Sequence, residues 1–237
     1  MENRIPGEKA KKTRFPAAAF DLDGTLYPNW RFYLLLLPFI IKEQRHLRAF
    51  GKARDRLRAE EGIGEVPLYE RQARYMSEIL KAEPRLLEEK TERLIYRGWE
   101  PLFKKVRLFP FVKETLQALK DSGVKLGLLS DFPPKTKLEY LGLSGLWDTI
   151  LCSEETGRLK PDPLPFRELA RSLGVAPEEI LYVGNSFSYD VLGSQRAGMK
   201  AAWMTSYRNF RKKPGRLRGE ADFIFYDYRQ LRDYMLL

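Results

Sequence analysis

After Arg107 the sequence changes rhythm, and that change constrains the fold more than any other feature of the chain. Stretches with apolar residues at helical spacing ("FVKETLQALKDSG", "PKTKLEYLG", "PLPFRELARSLG", "YDVLGSQRAG") alternate with short apolar runs ("VKLGLLS", "WDTILCS", "ILYVG", "KAAWMT", "ADFIFY"). A last helical stretch, "YRQLRDYML", closes the series. Short apolar runs between turn residues read as buried strands, longer periodic ones as helices. Strands that alternate with helices need right-handed crossovers, which produce a parallel sheet covered on both faces. The early run "FPAAAFDL" reads as one more such strand. From Trp30 to Lys105 only helical signals occur, with Pro67 and Pro84 where a first helical turn tolerates them. The expected fold is therefore α/β: a doubly wound parallel sheet from residues 15–28 and 106–237, with a small all-helical segment, residues 29–105, inserted after the first strand. Residues 1–14, basic and poor in apolar side chains, read as a flexible tail.

Composition limits what such a chain does. Its 237 residues, 43% hydrophobic, suffice for a full core. The one cysteine, Cys152, permits no internal disulfide and reads as a buried inert thiol, far in sequence from the one histidine, His46. The start, "MENRIPGEKAKKTR", has no apolar signal region, so the expected location is cytoplasmic. The longest apolar run, Phe32 to Ile41, is broken by Pro38 and falls short of the ~20 residues of a membrane-spanning helix. It reads as a helix buried against its neighbours, with a membrane-surface segment as the alternative. Net charge is +10, concentrated in residues 1–14, 31–58 and 207–220. The arginines and lysines of 45–58 read as a solvated face. The charge suits an anionic ligand, and nucleic acid among them, but no nucleic-acid recognition motif accompanies it.

In a doubly wound sheet, ligands bind beyond the carboxyl ends of the strands. The first strand ends in Asp21-Leu-Asp23-Gly24-Thr25, and the next in Ser130-Asp131. Lys160 follows the third, in "RLKPDP", and the fourth ends in Gly184-Asn185 with Asp190 five residues on. Carboxylates, a hydroxyl, a lysine and an amide thus gather at one edge.

"DLDGTL", "SD", "KPDP" and "GNSxxxD", in this order and spacing, resemble the motifs of the haloacid dehalogenase-like hydrolase superfamily. The likeness covers the chain apart from the tail and the 207–220 loop, and residues 29–105 match that family's helical cap. The resemblance implies an aspartyl nucleophile, Asp21, which forms an acyl-phosphate, and a second carboxyl, Asp23, which acts as acid and then base. It implies Mg2+ held by Asp21, the Asp23 backbone carbonyl, Asn185 and Asp190. Lys160 would neutralise Asp21 and a phosphate oxygen, and Ser130 would hydrogen-bond another. Gly24, Thr25, Asp131, Tyr27, Trp30 and Arg31 are the candidate substrate contacts, with Asn29 beside them. Aromatic residues farther along the segment, Tyr69, Tyr75, Tyr96 and Trp99, read as packing.

Asn185 departs from the family pattern, which has an aspartate there. An amide oxygen ligates a cation without adding charge, so weaker metal affinity is expected. A halide leaves without a proton, so Asp23 favours phosphate ester hydrolysis over carbon–halogen cleavage. The expected activity is Mg2+-dependent hydrolysis of a small phosphate monoester. The alternatives are phosphoryl transfer or mutase chemistry on a sugar phosphate, and a non-catalytic protein of this fold that binds a polyanion.

Overall fold

The computed structural model describes residues 13–62, 66–212 and 220–237. Six strands form one sheet: β1 (Ala17–Phe20), β2 (Lys125–Ser130), β3 (Thr149–Cys152), β4 (Ile180–Gly184), β5 (Lys200–Met204) and β6 (Phe223–Phe225). All neighbours pair in parallel, in the order β3-β2-β1-β4-β5-β6. The winding therefore reverses around β1, and the carboxyl ends of β1, β2 and β4 meet at the switch point.

Four helices follow β1 directly: α1 (Asn29–Lys42), α2 (Gln44–Ala59), α3 (Leu68–Leu80) and α4 (Pro84–Thr91). A π-helical turn, Glu92–Arg97, and a 3-10 turn, Glu100–Lys105, follow them. The core helices are α5 (Val112–Asp121), α6 (Lys135–Tyr140), α7 (Pro163–Leu173), α8 (Leu192–Arg196), α9 (Tyr207–Lys212) and α10 (Tyr228–Met235). Alternate residues of β1 serve opposite layers. Ala18 and Phe20 pack with Leu116, Leu119 and Leu231 of α5 and α10, while Ala17 and Ala19 pack with Phe166, Leu169 and Leu173 of α7.

The helices between β1 and α5 pack in two groups. Ala49, Phe50, Ala53, Met76, Leu87 and Ile95 make a cluster of their own. Phe32, Leu36 and Phe103 instead pack in the cluster that includes β1 and β2. α1 is also not buried all round: Phe32 and Leu36 are buried, but Trp30, Tyr33, Leu34, Leu37 and Ile41 are exposed. A run that is apolar at nearly every position carries no phase, so the sequence could not say which face turns outward. Among the described residues no helix is long and apolar enough to cross a membrane.

Two further readings need correction. Arg14, placed in the tail, donates its backbone N–H to the Met235 carbonyl at 2.8 Å and lies 4.5 Å from the Tyr234 ring centroid; residues 1–12 and 213–219 lie outside the described residues. The basic run of α2 is not simply a solvated face. Arg54, 3% exposed, pairs with Glu154 and donates to the Asp131 carbonyl at 2.8 Å. Arg58 donates to Asp131 Oδ2 and to the Lys160 carbonyl, each at 3.0 Å. Two guanidinium groups one helical turn apart thus fasten the helical segment to the rim of the sheet.

Candidate active site

The rim is built by the turn after β1. Gly24 has φ +90°, and a Cβ there would lie 2.6 Å from Asn29 Nδ2 and 2.7 Å from Asn185 Nδ2, so only glycine fits. Its turn brings Thr25 back over Asp21. The Thr25 hydroxyl donates to Asp21 Oδ2 at 2.7 Å and lies 3.1 Å from Asn185 Oδ1. The Tyr228 hydroxyl holds the Thr25 carbonyl at 2.7 Å.

Lys160 enters from the loop after β3. Its Nζ donates to Asp21 Oδ1 at 2.6 Å and to Asp190 Oδ1 at 2.7 Å. Asp190 is set by the Ser186 backbone N–H, 2.9 Å from its Oδ2, and any side chain at Gly184 would overlap it. All three charged groups are buried. Burial alone would pull the Lys160 ammonium down, but Asp190 and Asp21 outweigh it and hold it well above the ordinary lysine range. Burial pushes the Asp21 carboxyl up, to about 7; Lys160 opposes this, and Asp190 and Asp23 add to it. Two carboxylates answer one ammonium, so the cluster carries one excess negative charge.

Asp23 faces a different set. Lys137 Nζ lies 2.8 Å from both of its oxygens, the Tyr27 hydroxyl donates to Oδ1, and the Ser130 hydroxyl lies 3.4 Å from Oδ2. The sequence reading missed Lys137. A signal for it exists: Pro134, Lys137, Leu138 and Leu141 stand at i, i+3, i+4 and i+7, and all four are buried. A lysine on an apolar stripe has a partner inside. Arg54 shows the same signal, set among His46, Ala49, Phe50, Ala53 and Leu57 of α2.

The remaining candidates divide. Tyr27 and Asn29 line a cavity beside Asp23, together with Tyr96 and Trp99, which the sequence assigned to packing. Trp30 and Arg31 do not line it; both are exposed, with the Arg31 guanidinium 5.2 Å from the Trp30 ring centroid. Asp131 points to the protein: Oδ1 accepts from the Ser153 hydroxyl and the Lys160 N–H, and Oδ2 from Arg58. Burial would raise its carboxyl, but Lys160, Arg54 and Arg58 hold it below the usual range. Cys152 is buried, and burial pushes its thiol up, as befits an inert side chain.

The donor set suits a hard cation. Among the described residues no three acidic, histidine or cysteine side chains gather as a metal cage. However, Asp21 Oδ2 and Asn185 Oδ1 converge on one hydroxyl, and the cluster's excess negative charge is unanswered. Oxygen donors with net negative charge fit Mg2+. Asp21, Asn185 and the Asp23 carbonyl would hold it, while Asp190 is engaged by Lys160.

Comparison with known proteins identifies the family. The family model described as haloacid dehalogenase-like hydrolase matches residues 15–198. A glyceraldehyde 3-phosphate phosphatase of Methanopyrus kandleri is 30% identical over 77% of this chain and 81% of its own. A phosphoglycolate phosphatase of Salmonella paratyphi A is 28% identical over 81% of this chain and 82% of its own. Among solved structures, a HAD phosphatase from Thermococcus onnurineus superposes with TM-score 0.62 at 27% identity, covering 92% of this chain and 96% of that one.

Proposed function

The chain belongs to the haloacid dehalogenase-like hydrolases and is a phosphohydrolase, and from that premise we propose that it hydrolyses a small phosphate monoester through an acyl-phosphate on Asp21, with Mg2+ as cofactor. One observation carries the reading. Asp21 is clamped by Thr25 and Lys160, while Asp23, two residues on, is held by a separate set of donors. A clamped carboxylate is a positioned nucleophile, and a separately held one is free to exchange a proton. The relatives named for glyceraldehyde 3-phosphate and phosphoglycolate support a small phosphorylated organic substrate.

In the first step an Asp21 oxygen attacks phosphorus, the ester P–O bond breaks, and Asp23 gives its proton to the departing alkoxide. In the second, Asp23 takes a proton from a water that attacks the phosphoryl group; phosphate leaves and Asp21 is a carboxylate again. Lys160 offsets charge on Asp21 and on the transferred group, and the Ser130 hydroxyl, fully buried beneath Asp23, is a donor to a phosphoryl oxygen. Mg2+, when bound, would screen the repulsion between the carboxylate and the phosphate dianion.

The test is turnover of p-nitrophenyl phosphate with Mg2+ by wild type and Asp21→Asn. The variant should lose at least about 10⁴-fold in kcat. Equal turnover by the two proteins would remove Asp21 as nucleophile.

A further inference from the structure

We propose that the alcohol carried by the substrate is apolar, a ring or a hydrocarbon chain rather than a polyol or a hydroxy acid; the inference rests on the phosphatase reading above. A cavity of about 190 Å3 opens on the Asp23 side of the rim. An alcohol leaving a phosphoryl group on Asp21 must pass there, because Asp23 is the group that protonates it. The walls are aromatic: Tyr27, Phe32, Trp99, Phe103 and Phe132 line the space. They are also preformed. Phe32 and Phe103 stack with centroids 4.5 Å apart, and Tyr27 meets Phe103 edge-on at 5.5 Å. A preformed, largely aromatic wall favours an apolar ligand, and a polyol would find few partners on it besides Asn29 and the tyrosine hydroxyls.

The charges on the wall tell the same story. Lys137 already answers Asp23, with 2.8 Å to each oxygen, and Glu100 adds a negative charge. A carboxylate on the alcohol would meet a matched lysine and a like charge, after losing its water. The mouth of the cavity extends the apolar surface. Tyr33, 56% exposed, lines it and stands on the outward face of α1 with Trp30, Leu34, Leu37 and Ile41, which are between 51% and 66% exposed. An alcohol longer than the cavity therefore passes from rings onto aliphatic side chains.

The experiment compares four esters of primary alcohols, so that the leaving oxygen is alike: benzyl phosphate, n-octyl phosphate, glycerol 3-phosphate and 2-phosphoglycolate. At least one apolar ester should exceed both polar ones by about tenfold in kcat/KM, chiefly through KM. A lead for the benzyl ester identifies a ring as the ligand, and a lead for the octyl ester identifies a chain that follows α1. Parity, or preference for a polar ester, overturns the inference and leaves the phosphatase reading standing. Absence of turnover with all four and with p-nitrophenyl phosphate overturns both. Tyr33→Ser, at the exposed mouth, should lower kcat/KM for the favoured apolar ester about threefold more than for glycerol 3-phosphate. An equal loss on every ester would count against the inference.

Discussion

Two lysines meet carboxylates at the rim, and they do so differently. Lys160 is sealed in, with Asp21 and Asp190 both within 2.7 Å, and it is positioned by the loop after β3. Lys137 stands on the short helix α6, has one carboxylate to itself, and borders an open cavity. The inner cluster has more acid than base, and each of its three charged groups is buried. The outer pair has neighbours it can trade with. A nucleophile needs a fixed place, and an acid–base group needs a partner it can leave; the two surroundings match the roles proposed for Asp21 and Asp23.

Substitutions at the two lysines test that division. Lys160→Met strips the counter-charge from two buried carboxylates. It should cost about 3 kcal/mol or more of stability and about 10³-fold in kcat, read by urea unfolding and steady-state rates. Unchanged stability would break the distinction at its inner end. Asp23→Asn should lower kcat by about 10²-fold or more on alkyl esters and on p-nitrophenyl phosphate alike, but with the latter, whose anion leaves without help, a burst of about one p-nitrophenolate per enzyme should come first. Mass spectrometry of the intact variant should then find phosphate retained on Asp21. Lys137→Met should cost about tenfold in kcat with a stability loss smaller than that of Lys160→Met, because the pair is partly open to water. A larger loss of stability than at Lys160 would reverse the comparison. The smallest effect belongs to Tyr27→Phe, which deletes a single donor to Asp23 and should lower kcat about threefold with the protein intact.

The same contrast runs through what could be read from the amino acids. All six strands were legible, because each is a short apolar run between turn residues. Asp21, Lys160 and Asp190 could be named because each lies in the segment that leaves the carboxyl end of a strand, immediately after β1 for Asp21 and farther along the loops after β3 and β4 for the other two, and a parallel sheet brings those ends together. Lys137 was not read, because its approach to Asp23 depends on the angle at which α6 leaves the sheet. Arg54 and Arg58 read as surface charge within a basic run, although Arg54 sits on the apolar stripe of α2. A charged residue in phase with buried ones is the sign that was available and passed over. Trp30 and Arg31 follow the first motif closely in sequence, yet α1 begins at Asn29 and turns both outward. One turn of helix is enough to separate neighbours in sequence from neighbours in space.

Arg58 gives the rim a mechanical property. Its guanidinium grips the peptide carbonyl of Lys160 and the side chain of Asp131 together. If α2 swings away to admit a bulky ester, both grips must be released, and the released carbonyl belongs to the residue whose ammonium steadies Asp21. Moving α2 and loosening the hold on Asp21 would then be a single motion, so the rim would be fully set only while α2 is docked.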